Sequence, residues 1–135
     1  MSSDIFLKAQ GLSKTFPLPA QGLFQRDKPL LHAVSDVDLT LRAGETLALV
    51  GESGCGKTTL ARMIGLLLAP SSGTFRFDGK GLGAFSNSAL KALRRRIGII
   101  FQDPYASLNP RMRVGTIINE PMLIHAIGDK QERRA

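Results

Sequence analysis

Gly51, Gly54, Gly56, Lys57 and Thr58 fall at the spacing G-x-x-x-x-G-K-[ST]. These residue types at this spacing suit one task, the surrounding of a phosphate chain. Glycine at 51, 54 and 56 lets the backbone curl so that consecutive N–H groups point inward and phosphate oxygens come close. A helix beginning near Gly56 or Lys57 would add its positive end and its unpaired N–H groups. Lys57 offers a flexible point charge for the β- and γ-phosphates. The Thr58 hydroxyl suits a Mg²⁺ bridging those same phosphates, and Thr59 would support the α-phosphate. Glu52, Ser53 and Cys55 complete the loop and count among its nucleotide-binding positions.

The loop needs elements to hold it. Thr46-Leu47-Ala48-Leu49-Val50 precedes it as a short apolar run, read as a buried parallel strand. Thr59 to Leu68 follows with a largely apolar pattern of helical length. Strand, glycine loop and helix together form the context that the motif requires. Cys55 is the only cysteine, which rules out an internal disulfide and fits a reducing compartment. Two readings of Cys55 stand: a thiol made reactive by the helix N-terminus, or the filler of a permissive position.

The remaining chain supplies further elements. Ile5 to Phe16 reads as a strand with a bend at Gly11, and residues 17–31 as an irregular excursion or hairpin tip. Val37 to Leu41 alternates strictly, the mark of a half-buried antiparallel strand, and 43–45 make a turn. Pro70 to Gly73 stops the helix, Thr74 to Phe77 alternates, and Asp78-Gly79 marks a hairpin turn. Ser88 to Arg96 is expected as a helix, capped by Ser88 or Asn87. Ile97 to Phe101 is expected as another buried strand, and Gln102 to Arg113 as a loop. Val114 to Ile127 has helical spacing interrupted by Pro121.

The 135 residues suffice for one small domain with a core, and 43% hydrophobic with 21% charged residues is an ordinary globular balance. No apolar run is long enough for a transmembrane helix, and the N-terminus lacks the pattern of a signal peptide. The net charge of +7 fits nucleic acid, an anionic membrane surface or a polyanionic nucleotide as partner. Arg94-Arg95-Arg96 is the densest basic cluster, and a solvated helix end accounts for it equally well.

Gln102 follows the second apolar run directly. Its neutral amide carbonyl suits Mg²⁺, and its NH₂ can orient an attacking water. With the loop at 51–59 and Gln102, the chain resembles the nucleotide-binding subunits of ATP-binding cassette (ABC) transporters. The stretch from Phe101-Gln102-Asp103-Pro104 to Asn109-Pro110-Arg111-Met112 resembles more narrowly the dipeptide, oligopeptide and nickel importer branch. Leu41 to Thr46 and Ile117 to Pro121 fit the same branch, and the likeness extends over about residues 5 to 128.

The resemblance implies an α/β fold: a P-loop NTPase core with an N-terminal antiparallel β subdomain. It divides the chain into 5–50, an antiparallel β region with its lead-in strand; 51–101, the P-loop core; and 102–135, the glutamine loop and the start of a helical subdomain. It implies ATP and Mg²⁺ as cofactors, Thr58 and Gln102 at the metal, and Gln102 as γ-phosphate sensor. Phe16 matches the family's adenine-stacking aromatic, with a core role as the alternative reading. Permease subunits and a second nucleotide-binding subunit are the implied partners, at the cytoplasmic face of the bacterial inner membrane. Tyr105 to Met112 would meet the permease.

The family's Leu-Ser-Gly-Gly-Gln signature, its second acidic strand and its switch histidine are not found after Gln102. No catalytic base is therefore assigned, and the chain reads as the N-terminal part of such a subunit. Without further strands, 47–50 and 97–101 are expected to expose apolar surface and to promote aggregation. Two alternatives stand beside importer ATPase: a nucleotide-binding piece without hydrolysis, and a non-transport ABC protein acting on nucleic acid.

Overall fold

The parity of inward-facing residues along β1 (Ile5–Pro17) shows how the core is chosen. Leu7 and Ala9 face inward at 1% exposure each, and Leu12 follows at 0%. Two-residue alternation alone would turn Leu12 outward. Gly11, at φ 59°, breaks the register between Ala9 and Leu12 and restores the inward face. The carboxylate of Asp38 accepts the Gly11 N–H at 2.7 Å and fixes this bulge. The bend expected at Gly11 is thus the device that keeps the strand's apolar face on one side.

The computed structural model describes residues 5–19, 29–84, 86–103, 105 and 107–134. Most of the expected excursion, at 20–28, and Pro104 and Ala106 of the importer-like stretch lie outside the described residues. The chain divides into two compact units, one ending at Arg94 and one beginning at Arg95.

In the first unit, β1 pairs antiparallel with β2 (Leu30–Arg42) on one side and with β3 (Ser72–Phe77) on the other. The short β4 (Lys80–Gly81) completes the order β2-β1-β3-β4. The β3–β4 hairpin turns at Asp78-Gly79, both with positive φ (46° and 73°), the geometry that suits the twist of a tight hairpin. Leu7 stands opposite Phe77, and Ala9 opposite Phe75. The Phe77 ring meets Phe6 edge-on at 5.1 Å, within the range of favourable aromatic pairs. Leu60 and Met63 of α1 (Lys57–Ile64), Leu66, and Leu93 of α2 (Asn87–Arg95) are also buried. The Ser86 hydroxyl accepts the Ala89 N–H at 3.3 Å, so Ser86 caps α2 in place of the expected Ser88 or Asn87. Arg94 and Arg95 are exposed at the C-terminal end of α2, as the solvated-end reading of this cluster expects.

In the second unit, α3 (Val114–Ile124) continues through Pro121 without splitting, and none of its residues is buried. Beyond it, the Asp129 carboxylate accepts the Gln131 and Glu132 N–H groups, while Glu132 accepts the Asp129 N–H. This reciprocal pairing opens the 3-10 turn Glu132–Arg134.

The strands expected at 46–50 and 97–101 and the length of the first helix are corrected. Residues 46–50 and 97–101 do not form strands, and neither run has a hydrogen-bonded neighbour among the described residues. A strand exists through its ladder, so an apolar run without one remains extended chain. Both runs expose apolar surface, as expected for them without further strands: Val50 and Ile100 each stand 94% open. The helix expected to reach Leu68 ends at Ile64. Leu66 adopts φ 57° and the N–H groups of Leu67 and Leu68 turn back to the Arg62 carbonyl.

Candidate functional site

The glycine loop sits between the extended run 46–50 and α1, all within the first unit. Gly54 and Gly56 carry φ of 82° and 94°, conformations that a side chain resists. Gly51 meets a different constraint, since a Cβ there would lie 2.7 Å from the Cys55 Sγ, which would have to swing away. At Gly56 a Cβ would run into the Ala33 carbonyl of β2. Glycine at 56 therefore lets the loop and the edge strand touch. This spatial partner of the loop was invisible in the sequence, where β2 carries no motif. Its only trace was the demand of a glycine for something close by.

Gly56 is also the N-cap of α1, and its carbonyl accepts the Leu60 N–H at 2.9 Å. No side chain caps this end, and the first turn holds no acidic residue. The helix thus presents uncapped N–H groups and its positive end to the loop, a natural seat for an anion. Lys57 folds back over the loop. Its Nζ donates to the Gly51 carbonyl at 2.7 Å and the Glu52 carbonyl at 2.5 Å, and lies 3.4 Å from the Cys55 Sγ. A cation held on carbonyls by a flexible stem can be taken over by phosphate oxygens, which bind it more strongly. Thr58 is exposed and Thr59 half-buried in the same first turn; Glu52, Ser53 and Cys55 are exposed along the loop.

Beside the loop lies a cleft of about 400 Å³, lined by His32, Ala33, Val34, Ser35 and Val37 of β2, by Leu49 and Val50, and by Cys55, Gly56, Lys57 and Leu60. The β1–β2 register pairs Thr15 with His32 and Phe16 with Leu31. Phe16, half-buried, therefore stands one step along the ladder from the cleft wall. The cleft brings β2 together with Cys55, Gly56 and Lys57, and Phe16 is outside its lining. The cradle fits a phosphate chain, because the loop turns through left-handed Gly54 and Gly56 and meets an uncapped helix N-terminus. A Mg²⁺ would draw its protein oxygen here from Thr58.

Gln102 belongs to the second unit, where it is exposed. The loop after it is folded by its own side chains. The Asp103 carboxylate accepts the Tyr105 N–H at 3.0 Å, and the Ser107 hydroxyl donates to the Asp103 carbonyl. The Asn109 side chain accepts the Arg111 N–H at 3.0 Å. These Asx turns hold a proline-bearing loop without a ladder. Tyr105 is 86% exposed within it.

Comparison with known proteins gives a consistent answer. A family model described as ABC transporter matches residues 34–135. The chain is 48% identical over 120 residues to a probable peptide ABC transporter ATP-binding protein, y4tS, of Sinorhizobium fredii, covering 89% of this chain and 34% of that protein. It is 42% identical over 128 residues to the dipeptide transport ATP-binding protein DppF of Escherichia coli, covering 95% and 38%. It is 46% identical over 130 residues to the glutathione import ATP-binding protein GsiA of Pectobacterium atrosepticum, covering 96% and 21%. Among solved structures, the dimeric post-hydrolysis ATP-binding cassette MJ0796 bound to ADP and Pi superposes with a TM-score of 0.72 at 26% identity, over 95% of this chain and 52% of that one. The chain thus spans about a fifth to two fifths of these curated relatives.

Proposed function

The chain belongs to the ABC transporter family, and from that premise we propose that residues 51–59 bind MgATP within an ATPase subunit that energises import of peptides or a related solute. The observation that carries the reading is the loop itself: two left-handed glycines, an uncapped helix end and a lysine parked on loop carbonyls. In this reading Lys57 leaves the carbonyls of Gly51 and Glu52 and turns to the β- and γ-phosphates. The N–H groups at the start of α1 take phosphate oxygens, and Phe16 stacks on the adenine. Thr58 would hold a Mg²⁺, which would supply positive charge to the phosphates.

The solute class is supported by the names of the relatives, which include peptide, dipeptide and glutathione systems. The partners proposed are membrane permease subunits and a second nucleotide-binding subunit, with the assembly on the cytoplasmic face of the inner membrane. Among the described residues no helix is long and apolar enough to cross a membrane. Tyr105 to Met112, whose described residues are exposed up to Arg111, is the segment we assign to the permease. No residue of this chain is assigned as the general base for hydrolysis. The test is uptake of labelled dipeptide by cells whose only copy of the encoding gene carries Lys57→Ala. Uptake lost with the protein still present supports the reading, and unchanged uptake overturns it.

A further inference from the structure

Lys14 is a basic residue two positions from Phe16 on β1, and its ammonium is already committed. Its Nζ donates to the Ala69 carbonyl at 2.7 Å and lies over the Phe16 ring, 5.3 Å from the centroid. That distance is within reach of a cation–π attraction. The carbonyl it holds belongs to the segment leaving α1, which is laced to β1 at three further points. The Ser71 N–H donates to the Ser13 carbonyl at 2.9 Å, the Thr15 N–H donates to the Ser71 hydroxyl at 3.1 Å, and Ser13 pairs with Ser72. The ammonium over the ring is therefore fixed from below by backbone.

We propose that Lys14 is a positioning residue for the nucleobase: anchored on the Ala69 carbonyl, it holds one face of the Phe16 ring so that the opposite face receives a purine. This rests on the proposed binding of ATP at residues 51–59 and on Phe16 as the base-stacking ring. A cation behind an aromatic ring draws its electron density and favours an electron-rich partner in front, which suits adenine. The Lys14 contact acts on the base alone, whereas Lys57 acts on the phosphates.

That division gives the experiment. Mg²⁺ complexes of ATP and of inorganic tripolyphosphate are titrated into the full chain and its variants by calorimetry. Lys14→Met is expected to weaken ATP about 2- to 5-fold and to leave tripolyphosphate unchanged, with Lys14→Arg restoring ATP affinity. Phe16→Ala is expected to weaken ATP by about 5-fold or more, and Lys57→Ala to weaken both ligands. A general loosening of the site would move both ligands in Lys14→Met, and that result overturns the proposal. If Phe16→Ala selectively weakens ATP while Lys14→Met does not, the Lys14 role alone falls. If Phe16→Ala has no effect, base stacking on Phe16 falls and Lys14 with it. If Lys57→Ala leaves both ligands unchanged, the nucleotide site itself is refuted.

Discussion

Gly56→Ala should harm this protein far more than Gly54→Ala, although both glycines have left-handed backbones. At either position an alanine must adopt positive φ, which costs about 1–2 kcal/mol. For Gly54, at φ 82°, no atom lies within 4 Å of the added Cβ, so the conformational cost is the whole effect. For Gly56, at φ 94°, the Cβ meets the Ala33 carbonyl and stands 3.3 Å from the Val34 Cγ2. The carbonyl is backbone of β2, laddered to β1, and can yield only by shifting the strand. Overpacking of this kind adds about 1–3 kcal/mol. The expected total for Gly56→Ala is about 2–5 kcal/mol, a large part of the stability of a small domain. Urea unfolding followed by circular dichroism at low micromolar concentration gives the comparison. With a slope of about 1–2 kcal/mol per molar urea, Gly54→Ala should lower the midpoint by about 1 M. Gly56→Ala should lower it further or leave the chain unfolded in buffer. Equal midpoints for the two variants would refute the close approach of β2 to the loop.

Three other outcomes follow from the same geometry. Gly51→Ala is destabilising in the natural chain and nearly neutral in a Cys55→Ala background, because the Sγ at 2.7 Å is the only close atom it meets; a double-mutant cycle should return a coupling of about 0.5–3 kcal/mol. Val50→Lys and Ile100→Lys, at positions each 94% exposed, should reduce concentration-dependent light scattering of the chain; unchanged scattering would remove these two runs as its cause. Leu12→Ala empties a site of 0% exposure on the inward face of β1, and should lower unfolding free energy by about 2–5 kcal/mol in denaturant titration.

The parts of the fold that depend on neighbours in sequence were legible. The Val37–Leu41 alternation, the Asp78-Gly79 turn and the helix after Lys57 each declare themselves over a few residues. The loop's chemistry was legible for the same reason, since glycine, lysine and threonine positions are all local. What failed was strand pairing with distant partners. Residues 46–50 and 97–101 have the composition of buried strands, but a ladder depends on residues far away in the chain. The end of α1 was missed because Leu66, an ordinary helix former, adopts a left-handed backbone and is buried there at 8% exposure. In the site, the cleft wall from His32 to Val37 was missed because tertiary contact with Gly56 leaves no periodic signal. Lys14 carries no local signal, because its anchor on the Ala69 carbonyl lies 55 residues away.

The measurement that bears most directly on the central claim is calorimetric titration of MgATP into the full chain, with Lys57→Ala as comparison. Lys57 makes two charge-assisted hydrogen bonds to loop carbonyls, and a charge-assisted bond from it to phosphate should be worth about 1.5–3 kcal/mol before the loss of those carbonyl bonds is subtracted. Saturable one-to-one binding that weakens by about 10-fold or more in Lys57→Ala is expected. Equal affinity in the two proteins, or no heat of binding from folded wild-type chain, would contradict it.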